Sequence, residues 1–384
     1  MLELENNRIM EEIESLSSRK RWQDIRDMLL LFEPADTAAI LAELQSDRLP
    51  LIYRLLPKEL AAEVFVEMEP EEQEQLIQTF SDTELKEVLE ELYVDDTVDL
   101  IEEMPASVVK RILRHADPET RRSVNEILKY PEDSAGSIMT TEFVDLKRDM
   151  SVADALKRIR RTGIDKETIN ICYVTDPSRR LLGLVSIRTL LLADQEDIIE
   201  EIMETNVVSA TTMDDKEDVA QDLSKYDFLA MPVVDKEHRL VGIVTIDDAI
   251  DVMEEEATED FELMAAITPT DKPYLRAGVW ETVKSRLPWL MLLMLSATFT
   301  GVVISSFEDS LAACSVLIGF IPMLMGTGGN CGNQSSVAVI RGLSLNEIGF
   351  GDLLSVVWKE SRVALLCGVL LAAGNFAKLL LVDR

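Results

Sequence analysis

The chain has 384 residues, 47% of them hydrophobic, and its 71 acidic and 38 basic side chains give a formal net charge of −33 at pH 7. That acidity argues against nucleic acid or anionic lipid as a partner of the soluble part and makes cations its natural ligands, with a merely solubilising surface as the alternative. Cys172, Cys314, Cys331 and Cys367 form no CxxC pair, and His115 and His238 lie far apart, which argues against a zinc site, a disulfide framework or a histidine-based triad. No nucleophile-and-base set is visible, so no catalytic residue and no enzyme activity are expected. The charged start "MLELENNRIM" has no apolar segment of the signal-peptide kind, which predicts a cytoplasmic first half.

From Leu2 to about Tyr130 the chain is punctuated by helix-start signals at Pro57, Pro70, Asp82, Asp95, Pro105 and Pro118, spaced by roughly twelve residues. Between them Leu60, Val64, Phe65, Leu76 and Phe80 keep helical spacing. An acidic α-helical superhelix is predicted over residues 1–132.

The next zone repeats internally. "IMTTEFVDLKRDMSVADAL" returns as "IMETNVVSATTMDDKEDVAQDL", and "RRLLGLVSIRTL" returns as "HRLVGIVTIDDA", about sixty residues later. Each copy predicts a helix, short β-branched strands around "ICYVTD" or "MPVVD", a turn, a strand and a helix. The zone resembles a tandem pair of α/β cystathionine-β-synthase (CBS) domains over residues 136–255, with copies at 138–200 and 202–255. That resemblance implies an adenine nucleotide, with ATP the expected cofactor, held by Arg188, Phe228, Thr245, Asp247 and Asp248 through a Ser/Thr-x-x-Asp element. The second copy has the element as Thr245 and Asp248, whereas in the first copy Ser186 is followed by Thr189. A purely structural dimerisation module is the alternative.

A helical connector is predicted over residues 246–275, and in "IDDAIDVMEEEATEDFELMAAI" the acids Asp248, Asp251, Glu255, Glu256, Glu259 and Asp260 fall largely three to five apart. Several therefore share one helix face and repel each other, unless the run is a solvated surface. An α-helical transmembrane domain is predicted over 284–384. Leu287–Ser306 is an uncharged stretch long enough for the ~30 Å hydrocarbon core, with Trp280, Trp289, Lys284 and Arg286 as interfacial and positive-inside signals. Further spans are predicted at 311–340 and 363–381, with Arg341, Lys359 and Arg362 on the inner side. The expected location is the cell membrane, multi-pass, with lipid as a partner.

Inside the second span, "IPMLMGTGGNCGNQSS" places Pro322, Gly326, Gly328, Gly329 and Gly332 where a helix should continue. A backbone break is expected there. Backbone groups released at membrane depth must be satisfied by protein or by a watery cavity, and Asn330, Asn333 and Gln334 add amide oxygens. Neutral oxygens that contact the hydration shell of Mg²⁺ suit a pore. A small-residue packing patch is the alternative. No strand precedes the glycines, which argues against a phosphate loop.

An acidic helical domain, a CBS pair, an "EEATED" linker and a span bearing "P-x-L-x-GTGGN-x-GNQS" occur in that order. Together they resemble the MgtE family of magnesium channels and transporters. The resemblance implies a homodimer with a pore on its two-fold axis, a plug helix that opens or closes it, and Mg²⁺ as both transported and regulatory ion. Carried over by position, the sensing carboxylates are Glu63, Asp95, Asp99, Glu217, Asp227, Asp248, Asp251, Glu256 and Glu259. The pore residues are Pro322, Gly328, Gly329, Asn330 and Asn333. Family members have two further transmembrane helices, the last bearing an aspartate at the ion site, so the expectation for a sequence ending at Arg384 is an incomplete pore. A membrane-anchored CBS protein that senses adenylates is the rival expectation.

Overall fold

The computed structural model describes residues 2–270, 277–313, 318–344 and 347–381. The chain divides into two units, Met1–Met253 and Glu254–Arg384.

The first unit opens with ten short helices: α1 (Leu2–Ser18), α2 (Trp22–Leu29), α3 (Pro34–Ala42), α4 (Leu49–Tyr53), α5 (Lys58–Val66), α6 (Pro70–Thr79), α7 (Asp82–Leu89), α8 (Val94–Glu103), α9 (Ala106–His115) and α10 (Pro118–Ile127). The helix-start signals read in the sequence fall at or beside the starts of α5 to α10, and local chemistry explains why. Proline occupies the first turn of α3, α6 and α10, where its missing N–H costs no hydrogen bond. Ser81 and Glu84 form a reciprocal capping box on α7: the Glu84 N–H donates to Ser81 Oγ at 3.2 Å and the Ser81 N–H to Glu84 Oε2 at 2.7 Å.

Each helix buries one stripe, and Leu41, Ile52, Phe65, Leu76, Leu85, Val98 and Ile112 join one continuous core. Polar ties cross between helices. Tyr53 Oη donates to the Ala61 carbonyl at 2.6 Å, and Gln73 Nε2 to the Phe65 carbonyl at 2.8 Å.

Two copies of a three-stranded unit follow. The first has β1 (Val144–Lys147), α11 (Val152–Thr162), β2 (Ile171–Thr175), β3 (Leu181–Ser186), α12 (Ile187–Leu192) and α13 (Ile199–Ile202). The second has β4 (Ala210–Thr211), α14 (Lys216–Tyr226), β5 (Ala230–Val234), β6 (Leu240–Thr245) and α15 (Ile246–Met264), the last running on into the second unit. In each sheet the middle strand pairs parallel with the first and antiparallel with the third.

The copies exchange equivalent contacts. Thr140 bridges Ile243, and Glu204 bridges Leu184. Gly183 and Gly242 make this possible: a Cβ on Gly183 would lie 2.6 Å from the Glu204 carbonyl oxygen, and one on Gly242 would lie 2.7 Å from the Thr140 oxygen. A shared apolar cluster of Tyr173, Leu181, Val234, Leu240 and Ile243 completes the pairing.

The second unit contains α16 (Val279–Ser306), α17 (Glu308–Ala313), α18 (Phe320–Ser344) and α19 (Leu353–Leu381). Among the described residues one helix, α16, meets both the length and the hydropathy of a bilayer crossing. The 29-residue α19 likewise turns Leu354, Leu366 and Leu370 outward. Exposed apolar surface on this scale marks contact with lipid or protein.

Three expectations are corrected here. The predicted break is absent: α18 runs unbroken through Gly326, Gly328, Gly329 and Gly332, and no glycine has positive φ. Pro322 is the third residue of that helix, where its N–H would have no intrahelical acceptor, so it starts the helix instead of kinking it. The span expected at 311–340 is divided between α17 and α18, with residues 314–317 outside the described residues. The connector expected to 275 ends as helix at Met264, followed by a positive φ of 55° at Ala266, and residues 271–276 lie outside the described residues.

Replacing Gly242 by alanine is expected to destabilise the first unit by about 1–3 kcal/mol through overpacking against backbone. A lowered unfolding midpoint in a thermal melt of the purified chain checks this, and an unchanged midpoint would contradict the close approach.

Candidate metal centre

Carboxylates converge where α8, the first CBS copy and the start of α15 meet. The sequence "YVDDTVDL" starts α8 with two adjacent aspartates, and free N–H groups at a helix start attract acids. The Tyr93 N–H donates to Asp96 at 3.3 Å, the Asp96 N–H to Asp95 at 3.1 Å, and the Val94 N–H to Glu142 Oε2 at 3.0 Å. Glu142 belongs to the segment before β1, so this last bond ties the helical domain to the first copy. The Glu167 N–H donates to the Glu142 carbonyl at 2.9 Å, which brings a second glutamate alongside. From the other side Asp247 and Asp248 enter on the first turn of α15, where Asp248 accepts from the Thr245 hydroxyl and from its N–H.

These groups crowd one another. Asp95 is only 5% exposed, and burial, then Asp248 and Asp96, push its carboxyl well above the ordinary range. Burial raises Asp96 to about 6, against the Tyr93 N–H and with help from Asp247 and Glu67. Burial raises Glu167 to about 8, and the charges of Asp96, Asp247 and Asp248 add to this. Asp248 rises to about 7, from burial first, opposed by its hydrogen bond from Thr245. Asp99 moves the same way, from crowding by protein and then from Asp248, although its open side chain tempers the rise.

The donors are all oxygens, which suits a hard cation. Glu167 Oε2 is buried without a hydrogen-bond partner, a further sign of an unmet demand for positive charge. Among the described residues no three Asp, Glu, His or Cys side chains form a ready-made coordination sphere.

The sequence-predicted set divides. Asp95, Asp99 and Asp248 are brought together. Glu63 is exposed on α5, one helical turn before Glu67, which acts on Asp96. Glu217 is the second residue of α14 and Asp227 its left-handed C-cap, so about 15 Å of helix rise separates them and they cannot share one ion. Asp251 lies one turn beyond Asp248, while Glu256 and Glu259 lie in the part of α15 that belongs to the second unit. Asp96, Glu142 and Glu167 were missed. Asp96 could have been suspected beside Asp95, but the lone acids Glu142 and Glu167 carry no spacing signal.

Residues 32–133 match the MgtE intracellular N domain, residues 135–196 and 199–255 the CBS domain, and residues 321–383 a divalent cation transporter family. Over 372 residues the chain is 39% identical to the magnesium transporter MgtE of Thermus thermophilus, covering 94% of this chain and 82% of the relative. The chain belongs to the MgtE family. A second relative, the MgtE magnesium transporter of Bacillus subtilis, is 34% identical over 91% of this chain and 78% of its own length. The crystal structure of the cytosolic domain of the Mg²⁺ channel MgtE in complex with ATP is similar at a TM-score of 0.59 and 39% identity, covering 64% of this chain and 98% of that one.

The residues that the CBS resemblance assigns to a nucleotide are placed as follows. Thr245 is buried, and its hydroxyl donates to Asp248, which caps α15. Asp247 and Arg188 are exposed, and Phe228 is half-buried and stacks on Tyr226 at 5.4 Å. In the first copy Ser186 Oγ accepts the Thr189 N–H at 3.0 Å, so a hydroxyl pair stands where the second copy has a carboxylate. Pro322, Gly328, Gly329, Asn330 and Asn333, which the family resemblance assigns to a pore, all lie exposed on α18. Asn330 and Asn333 share a face with Gly326 and Gly329 by helical spacing, and a Cβ on either glycine would meet nothing within 4 Å.

A pH dependence follows from the raised carboxyls. Their folded values lie above the unfolded range of about 4, so the folded state binds more protons and stability falls as pH rises from about 4 to about 8. In metal-free solution the unfolding midpoint of the first unit is expected to be higher at about pH 5.5 than at about pH 8. The opposite slope would contradict the clustering.

Proposed function

We propose that this MgtE-family chain carries Mg²⁺ across the cell membrane and that cytosolic Mg²⁺ closes the path by binding the acidic junction. The observation that carries this reading is the convergence of Asp95, Asp96, Glu167 and Asp248 around a buried, unpartnered carboxylate oxygen. The MgtE names of the relatives support the choice of ion. Without the ion, ionised carboxylates repel and the helical domain parts from the CBS pair and α15. With it, hydrated Mg²⁺ bridges the faces and favours the compact state, which it binds better. The remaining sensing residues, Glu63, Asp99, Glu217, Asp227, Asp251, Glu256 and Glu259, act at further weak sites along the same surfaces. Cooperation among such sites sharpens the response.

In this proposal residues 1–132 and the copies at 138–200 and 202–255 form the cytoplasmic sensor, and residues 246–275 carry its state to the membrane as the plug. The part 284–384 lies in lipid and crosses more than once, with α16, α18 and α19 as the crossings. Two copies form the pore. Pro322, Gly328, Gly329, Asn330 and Asn333 line it on a continuous helix, with amide oxygens touching the ion's water shell. ATP binds at the CBS pair through Arg188, Phe228, Thr245, Asp247 and Asp248, a reading supported by the ATP complex of the similar cytosolic domain.

Limited proteolysis tests the sensor: Mg²⁺ is expected to slow cleavage near Ala257, and equal cleavage with and without Mg²⁺ would sink the proposal. Alanine at Asp248, Asp251 and Glu259 together is expected to leave uptake open at high Mg²⁺, read as ion flux into proteoliposomes. Asn330→Ala should lower that flux about fivefold, the worth of one hydrogen bond of ~1 kcal/mol, without changing the proteolytic response. Unchanged flux would return the motif to helix packing.

A further inference from the structure

A cavity of about 320 Å³ is lined by Thr141, Phe143, Arg158, Lys166 and Arg179 of the first CBS copy and Leu240 of the second, among others. Its chemistry is opposite to that of the acidic junction. Arg158 donates to the Asp145 carbonyl at 2.7 Å and also pairs with the Asp145 carboxylate, and Lys147 reaches the same carboxylate at 3.2 Å. One acid thus answers two bases. Lys166 and Arg179 have no carboxylate partner among the described residues, and Arg179 spends one donor on the Leu240 carbonyl at 3.4 Å. A guanidinium has five donors, so most of its capacity remains.

The second copy shows that the fold does not require these bases. Arg158 stands seven residues after the N-cap Ser151, and the residue seven after the N-cap Asp215 is Asp222. Lys147, paired with Thr175, corresponds to Thr211, paired with Val234. Arg179 occupies a left-handed turn position with φ 65°, and its counterpart His238 does so with φ 60°. Four basic or hydroxyl side chains of the first copy, Lys147, Arg158, Thr175 and Arg179, are thus replaced by Thr211, Asp222, Val234 and His238 in a unit that folds the same way. In a chain of net charge −33 this concentration of bases is a local feature of one cavity.

We propose that this cavity binds the phosphoryl group of a small anionic metabolite, with Arg158, Lys166 and Arg179 meeting the phosphate oxygens and Phe143 and Leu240 offering an apolar wall to the remainder. The volume is of ligand-site size, and charge-assisted donors in a fixed geometry are what phosphate recognition uses. This site is separate from the nucleotide position at Thr245 and Asp248. Thr141 and Lys166 immediately precede Glu142 and Glu167 of the acidic junction, so the anion would sit within one residue of the carboxylates that face the cation.

Calorimetric titration of the full chain in detergent, with inorganic phosphate and AMP as probes in Mg²⁺-free buffer, tests the proposal. Saturable phosphate binding is expected, weakened at least about tenfold by Lys166→Ala with Arg179→Asn. Asparagine tolerates the left-handed turn, and an unchanged thermal midpoint verifies that the double variant folds. AMP binding that is tighter than phosphate and weakened by the same double variant assigns a nucleotide as the source, and equal binding assigns free phosphate. Absence of saturable binding, or binding that only Arg188→Ala weakens, overturns the site.

Discussion

Like charges held close together in a partly dry junction are the constraint on which the rest of this molecule depends. Asp95 and Asp96 at the start of α8, Glu142 and Glu167 in the first CBS copy, and Asp247 and Asp248 at the start of α15 occupy one region, and burial together with their neighbours' charge raises the proton affinity of Asp95, Asp96, Glu167 and Asp248. A junction of that kind is stable only when protons or cations offset the repulsion. Its two faces come from different domains, so the same repulsion that raises the carboxyls acts directly on domain separation.

The scaffold holds these groups in place by ordinary means. Glu142 caps α8 across the domain boundary, Thr245 holds Asp248 at the start of α15, and one continuous apolar core runs from the helical domain into the second CBS copy. The copies are locked by reciprocal close approaches at Gly183 and Gly242, where only hydrogen fits against the partner's backbone. Rigid support on both sides leaves the charges as the variable element. The cavity lined by Thr141 and Lys166, next in sequence to Glu142 and Glu167, instead gathers the bases Arg158, Lys166 and Arg179.

The membrane part follows a different logic. Its long helices expose leucine, valine and phenylalanine over most of their surface, and only α18 interrupts that pattern, with glycines and amides along one face. A continuous helix satisfies its own backbone, so the polar groups on that face are the amides of Asn330 and Asn333 and not freed carbonyls.

Much of this was legible in the sequence because its signals are local. Proline and Ser/Asp caps mark α5 to α10, the repeated strand and helix patterns mark the two CBS copies, and an uncharged apolar stretch marks α16. Asp95, Asp99 and Asp248 were found by resemblance, and their types and positions were written in the chain. Only the tertiary structure decided that Asp96, Glu142 and Glu167 join them, since side chains far apart in sequence meet through packing that no spacing rule encodes. It also decided that Glu217 and Asp227 sit at opposite ends of one helix, and that α18 is unbroken. Glycine and proline permit a break but do not compel one: proline in a first turn loses no bond, and glycine adopts helical angles wherever its neighbours propagate them.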